Sequence, residues 1–250
     1  AGRITRAPEG SVHRREARLR RDDNTISADL DLLPGEARPL IRGTMALDQF
    51  ILPQTEASGA ASSGAGAEAN AADASGWSTA PIDVSGLFAS DAELDVTAAA
   101  LGTEEIALQD LAASLRLDNG RAVLEVQRGQ LFAGALSGQF VLNGRGGLSA
   151  RADAAIDGIA LQHAVTAFAG FDRLQGTGSG NLSVLAGGNS QAALMRSLEG
   201  QGRIDFGNGA IEGLDIGGMI RNFDAGFRGE GARTVYDAIT ASFTLSAGVL

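Results

Sequence analysis

Two histidines, His13 and His163, are the side chains of this 250-residue sequence whose unperturbed titration falls near neutral pH, and there is no cysteine. His13 lies in an Arg-rich run, and His163 falls away from the apolar stripe Leu161, Val165 and Phe168, so both read as solvated. Two isolated histidines do not make a metal site, and without cysteine there is neither a disulfide framework nor a thiolate site. The acidic pairs Asp22-Asp23 and Glu104-Glu105 fall at predicted turns, where adjacent side chains diverge instead of meeting across one bond. An enzymatic reading would require Asp157, His163 and Asp172 to converge. The run Gly176-Thr177-Gly178-Ser179-Gly180 has the composition of a phosphate-cradling loop. Its context is wrong, because it leads into the strand-like Asn181-Leu182-Ser183-Val184-Leu185 and no Lys follows. Its structural reading is that alternate glycines leave one strand face bare for a helix to pack closely. The sequence therefore predicts no catalytic residue, no cofactor and no metal.

What remains is a surface, and composition says which kind. The chain is 44% hydrophobic, enough for a sizeable core, with 35 glycines, about twice the usual share. Small residues and frequent turns predict many short strands. Net charge is −10. Residues 1–53 hold nine Arg against eight acids, and residues 54–250 hold eleven Arg against twenty-two, so the main body repels phosphate backbones and nucleic acid is excluded as a partner. No window approaches the roughly 20 apolar residues of a membrane span, and the first residues lack a signal-peptide core. An anchor or export signal is expected outside this stretch, which is expected to be incomplete at both ends.

The order of elements follows from alternation and turn residues. Residues 1–53 form a β-repeat segment with strands over Val12 to Leu19, Asn24 to Leu32 and Leu40 to Leu52. Residues 54–80, rich in Ala, Gly and Ser, read as a flexible linker. The body, 81–250, is predicted to carry strands at 92–101, 105–117, 121–132, 135–143 and 148–157, with Asp118-Asn119-Gly120 closing a tight hairpin. After Gly158 the period changes. One short helix carries Leu161, Val165 and Phe168. A second, capped by Asn189 or Ser190 and ended by Gly200, carries Ala193, Leu194, Ser197 and Leu198. A third, capped by Asp215, carries Ile216, Met219, Ile220 and Phe223. Strands at 180–186, 201–206 and 240–246 run between them. The fold expected is mainly β with a few short helices (α+β): an elongated, curved antiparallel sheet of repeated meanders with an apolar concave face, its helices packed near the C-terminal end.

The stretch from Leu174 to Ile216 carries a resemblance. Gly176, Gly178, Gly180 and Leu182, then Ser197-Leu198-Glu199-Gly200-Gln201-Gly202, then Gly209-Ala210-Ile211-Glu212-Gly213-Leu214-Asp215, resemble the C-terminal region of the AsmA family. Ser242-Phe243-Thr244-Leu245 is similar to that family's next strand. The resemblance covers the chain well from near Pro81 and residues 1–53 loosely. It implies a Gram-negative envelope protein, anchored in the inner membrane by a helix outside this fragment, with the rest in the periplasm. It also implies a distant relation to bridge-like lipid-transfer proteins, phospholipid acyl chains as partners and a role in outer-membrane homeostasis. The family offers no catalytic residues to carry over.

Leu94, Val96, Leu115, Leu117, Leu124, Val126, Phe140 and Leu142 are the expected lining of such a lipid groove. Strands of eight to twelve residues span roughly 26–40 Å, against about 30 Å for the hydrocarbon layer of a bilayer. Three alternatives stand beside this reading: an ordinary core in which the helices cover the same face, a scaffolding or regulatory envelope protein acting on outer-membrane protein assembly, and a structural β-repeat protein that binds no lipid.

Overall fold

The computed structural model describes residues 3–6, 10–21, 24–35, 37–52, 76–103, 106–215, 219–221 and 232–249. They form thirteen strands in one open, curved sheet. In chain order these are β1 (Arg3–Arg6), β2 (Val12–Arg21), β3 (Asn24–Leu33), β4 (Leu40–Leu52), β5 (Asp91–Thr103), β6 (Ala107–Asp118), β7 (Arg121–Leu131), β8 (Gly134–Asn143), β9 (Ser149–Ala160), β10 (Leu174–Gly187), β11 (Glu199–Glu212), β12 (Arg233–Tyr236) and β13 (Ile239–Leu245). Each strand up to β12 pairs with the next, and β13 pairs with the half of β11 that β12 leaves free.

The sheet is mixed where the sequence suggested purely antiparallel meanders. β4 and β5 run parallel, with Leu40 opposite Asp91 and Leu52 opposite Thr103. A parallel pair needs a crossover connection. Its last part, residues 76–90, is a strap along one rim of the sheet. Ser78 O accepts from Ala192 N at 3.0 Å, Ile82 N donates to Asn189 O at 2.7 Å, Leu87 O accepts from Gly120 N at 3.0 Å, and Asp91 N donates to Pro39 O at 2.9 Å. Residues 1–53 and the body thus share one sheet. Most of the Ala/Gly/Ser-rich stretch lies outside the described residues, as do Asp22-Asp23 and Glu104-Glu105.

Local chemistry accounts for the hairpins. Asn119 and Gly120 take positive φ (42° and 81°), the two-residue turn whose twist matches the flanking strands. The β7–β8 turn uses Phe132 and Ala133 at φ 49° and 64°, where an ordinary side chain is strained. For L-residues that conformation costs about 1–2 kcal/mol, and freeing the unfolded chain with glycine costs about 0.4–1 kcal/mol. The strain outweighs the entropy. Ala133→Gly is therefore expected to stabilise the protein by roughly 0.5–1 kcal/mol, read as a higher urea midpoint with unchanged slope.

Two helices follow β9. α1 (Leu161–Ala169) ends on Gly170 at φ 64°, and α2 (Gln191–Arg196) is capped by Ser190, whose Oγ accepts from Ala193 N at 3.2 Å. Gly200 does not stop α2. Ser197 caps it, and Gly200 sits in β11, where a Cβ would stand 2.3 Å from the Ser183 carbonyl oxygen. Of the third expected helix, Met219 N bonds Asp215 O at 2.9 Å; Ile216 and Phe223 lie outside the described residues.

Candidate functional site: one apolar sheet face

Residues opposite one another on paired strands project to the same side, so the registers assign faces. One row across the strands reads Leu94, Leu115, Leu124, Phe140, Ala152, Val184, Gly200. Its neighbours read Ala92, Leu117, Ala122, Leu142, Ala150, Ala186 and Val96, Ala113, Val126, Gly138, Ala154, Leu182, Gly202, Phe243. All eight residues singled out from the sequence therefore lie on one face. The face continues across the parallel pair, where Ile41, Gly43 and Met45 stand beside Ala92, Leu94 and Val96, and on to Leu32, Leu30 and Ala28 of β3.

The same rows show what composition alone obscured. Ala150, Ala152 and Ala154 extend the face onto β9, and Leu182 and Val184 extend it onto β10. Alanine carries little hydrophobic weight, so β9 alternates visibly only through its polar partners Arg151 and Asp153.

The opposite face is a solvated ladder: Asp95, Ser114, Glu125, Gln139, Asp153, Ser183, Gln201 and Thr244 share one row. Val141, which breaks the apolar-polar alternation of β8, pairs there with Val123, a cross-strand β-branched pair. An Arg-x-Asp unit recurs on β9 and β11. Arg151 Nε lies 2.6 Å from Asp153 Oδ2 and Arg203 Nε lies 2.7 Å from Asp205 Oδ2, while Ser183 and Thr240 donate to the same carboxylates from the next strand. The guanidinium and then the hydroxyl hold both carboxyls below the usual carboxylate range. Concavities of about 560 and 430 Å³ on this side and at the rim are lined largely by such charged and polar residues, including Arg151, Glu199, Arg38 and Asp91.

The apolar face is neither bare nor fully covered. Ala98, Leu111, Ala113 and Val126 are buried on it beneath Leu47, Leu101, Leu108, Leu124 and Phe140. Val126 is 4% exposed, whereas the other seven candidates are half-buried. α1 rests on β9 and β10, and α2 on β10. A Cβ at Gly178 would stand 2.6 Å from Leu161 Cδ2, so Gly178 is the bare seat of a helix, whereas a Cβ at Gly176 or Gly180 would meet β11 at Asn208 O or Arg203 O.

Asp157, His163 and Asp172 are not brought together. Asp157 accepts from Ser179 Oγ at 2.5 Å, Asp172 accepts from Gln162 through its carbonyl, and His163 is exposed and bonds neither carboxylate. His13 is not merely solvated, as its Arg-rich context suggested. Its Nδ1 lies 2.7 Å from Asp31 Oδ1, and its Nε2 lies 3.2 Å from Ser11 Oγ. The cross-strand register His13↔Asp31 sets the first contact. Ser11 is 2% exposed, out of reach of a substrate, so the trio ties the β2–β3 pair together. Among the described residues no group of three His, Asp or Glu side chains could hold a metal ion, and no helix is long and apolar enough to cross a membrane.

An open curved sheet with one apolar face, partly roofed by two short helices, defines an open-sheet, mainly β protein. The AsmA family model matches residues 23–250, and the chain belongs to that family. No curated protein and no solved structure matches it significantly.

Proposed function

We propose that this chain is the groove-bearing periplasmic part of an inner-membrane-anchored envelope protein. It supports phospholipid transport between membranes and outer-membrane homeostasis by holding acyl chains against its apolar face. The observation that carries this reading is the half-exposure of one continuous apolar face, on which α1 rests mainly on β9 and β10 and α2 on β10. An apolar surface of that extent needs an occupant, because leaving it in water favours association with whatever apolar surface is available. The ladder on the other face keeps that side wetted. Membership of the AsmA family accords with an envelope role. Purification followed by mass spectrometry of bound lipid tests the reading, with photo-crosslinkers at positions 115, 124 and 140. Phospholipid enriched over a mock preparation and crosslinked at these positions is expected; lipid-free protein with crosslinks to its own chain alone would overturn it.

A further inference from the structure

Within the apolar face, two adjacent rows across β6 to β10 sink into a concavity of about 310 Å³. Its walls differ in size. The strands up to β8 contribute mostly large side chains such as Phe140, with Ala122 the exception, whereas β9 and β10 contribute mostly alanines, Ala150, Ala152 and Ala186, beside Val184. Leu198, just after α2, is the lining residue that comes from outside the sheet. α2 itself is seated directly on the end of β10, where a Cβ at Gly188 would lie 2.5 Å from that of Ala193. Of the twelve lining residues eleven are apolar. The twelfth, Arg151, and its neighbour Val141 point to the other face by alternation, where Arg151 is paired with Asp153. A phosphate or glycerol group placed in this hollow would find no side-chain partner, and burying it unpaired is costly. A methylene takes about the volume of a water molecule, on the order of 30 Å³, so the hollow holds on the order of ten methylenes. That is the distal part of one chain, too little for two.

We propose that this hollow is the blind end of the groove, receiving the methyl end of a single unbranched aliphatic chain, and that Ala186 and Leu198 set how long a chain it accepts. The inference rests on the groove reading above. It is tested on the whole chain with saturated fatty acids from hexanoate to stearate, displacing a fluorescent alkyl probe, with circular dichroism confirming that each variant is folded. Affinity for the wild-type protein rises by roughly fourfold per added methylene until the hollow is full, then levels off. Ala186→Phe moves the plateau to shorter chains, whereas Leu198→Ala moves it to longer chains. If the wild-type protein binds no alkyl chain, the groove reading itself fails. If it binds them and both variants keep the wild-type length profile, the groove stands and the blind end is overturned.

Discussion

Leu124→Asp is expected to leave the sheet folded and to abolish lipid capture, whereas Val126→Asp, two residues along the same strand and on the same face, is expected to unfold it. The two positions differ in what covers them. Val126 is 4% exposed and packs in a cluster with Ala98, Leu111 and Ala113. A carboxylate there has no partner, and an uncompensated buried charge costs several kcal/mol, a large part of the roughly 5–15 kcal/mol that holds a domain together. Leu124 is half-buried at the edge of that cluster and lines the hollow, so a carboxylate at its tip stays hydrated and costs about 1–2 kcal/mol. In the middle of the lining, however, it places a charge where an aliphatic chain would lie. Urea midpoints together with bound-lipid content separate the two effects. Equal collapse of both variants would show that the face is a closed core and remove the basis of the groove.

Gly178→Val should dislodge α1. The first added carbon would stand 2.6 Å from Leu161 Cδ2 and 3.1 Å from Phe206 Cδ1, and Leu161 is 1% exposed, so it has no free space to turn into. Overpacking of this kind costs about 1–3 kcal/mol, and β-branching adds two more carbons beyond the first. Gly207→Ala is the control, because its added Cβ meets nothing closer than Thr177 Oγ1 at 3.6 Å. Hydrogen exchange should quicken across 161–169 in the valine variant and hold steady in the control. Adding Leu161→Ala to Gly178→Val should restore part of the loss, a coupling that two independent sites would lack. An unshifted exchange pattern in Gly178→Val would show that the glycine is not the seat of the helix.

The alternation of Leu115 and Leu117 with Arg116 and Asp118 made the strands and their faces readable, because a buried-face strand repeats every second residue. Asn119-Gly120 was readable as a turn for the same local reason. The parallel β4–β5 pair was not, since pairing direction depends on where a long connection re-enters the sheet, and nothing local in Leu40 to Leu52 encodes that. The β7–β8 turn was placed by the strand bounds 121–132 and 135–143, but its left-handed backbone was hidden, because Phe132 and Ala133 are not residues that favour positive φ. Nor could spacing foretell that His13 meets Asp31, eighteen residues away and joined to it by register. The eight candidate lining residues were legible as an apolar set. Their continuation through Ala150, Ala152 and Ala186 was not, because alanine occurs in the helices, the strands and the stretch 54–80 of this chain and so marks none of them.

The strap along 76–90 bears on the stiffness of the sheet. It fastens the start of α2, the turn before α2, and the β6–β7 turn to one cord that ends beside Pro39, so one rim of β5 to β10 is held at fixed spacing. The opposite rim, at the β7–β8 turn and the two ends of the α1 connection, is tied among the described residues by scattered single bonds such as Ala160 N to Phe132 O and Glu212 N to Arg173 O, both at 2.9 Å. A sheet laced along one margin bends like a hand fan. Its ribs pivot at the laced margin, so bending moves the opposite strand ends more than the hollow beneath Leu198.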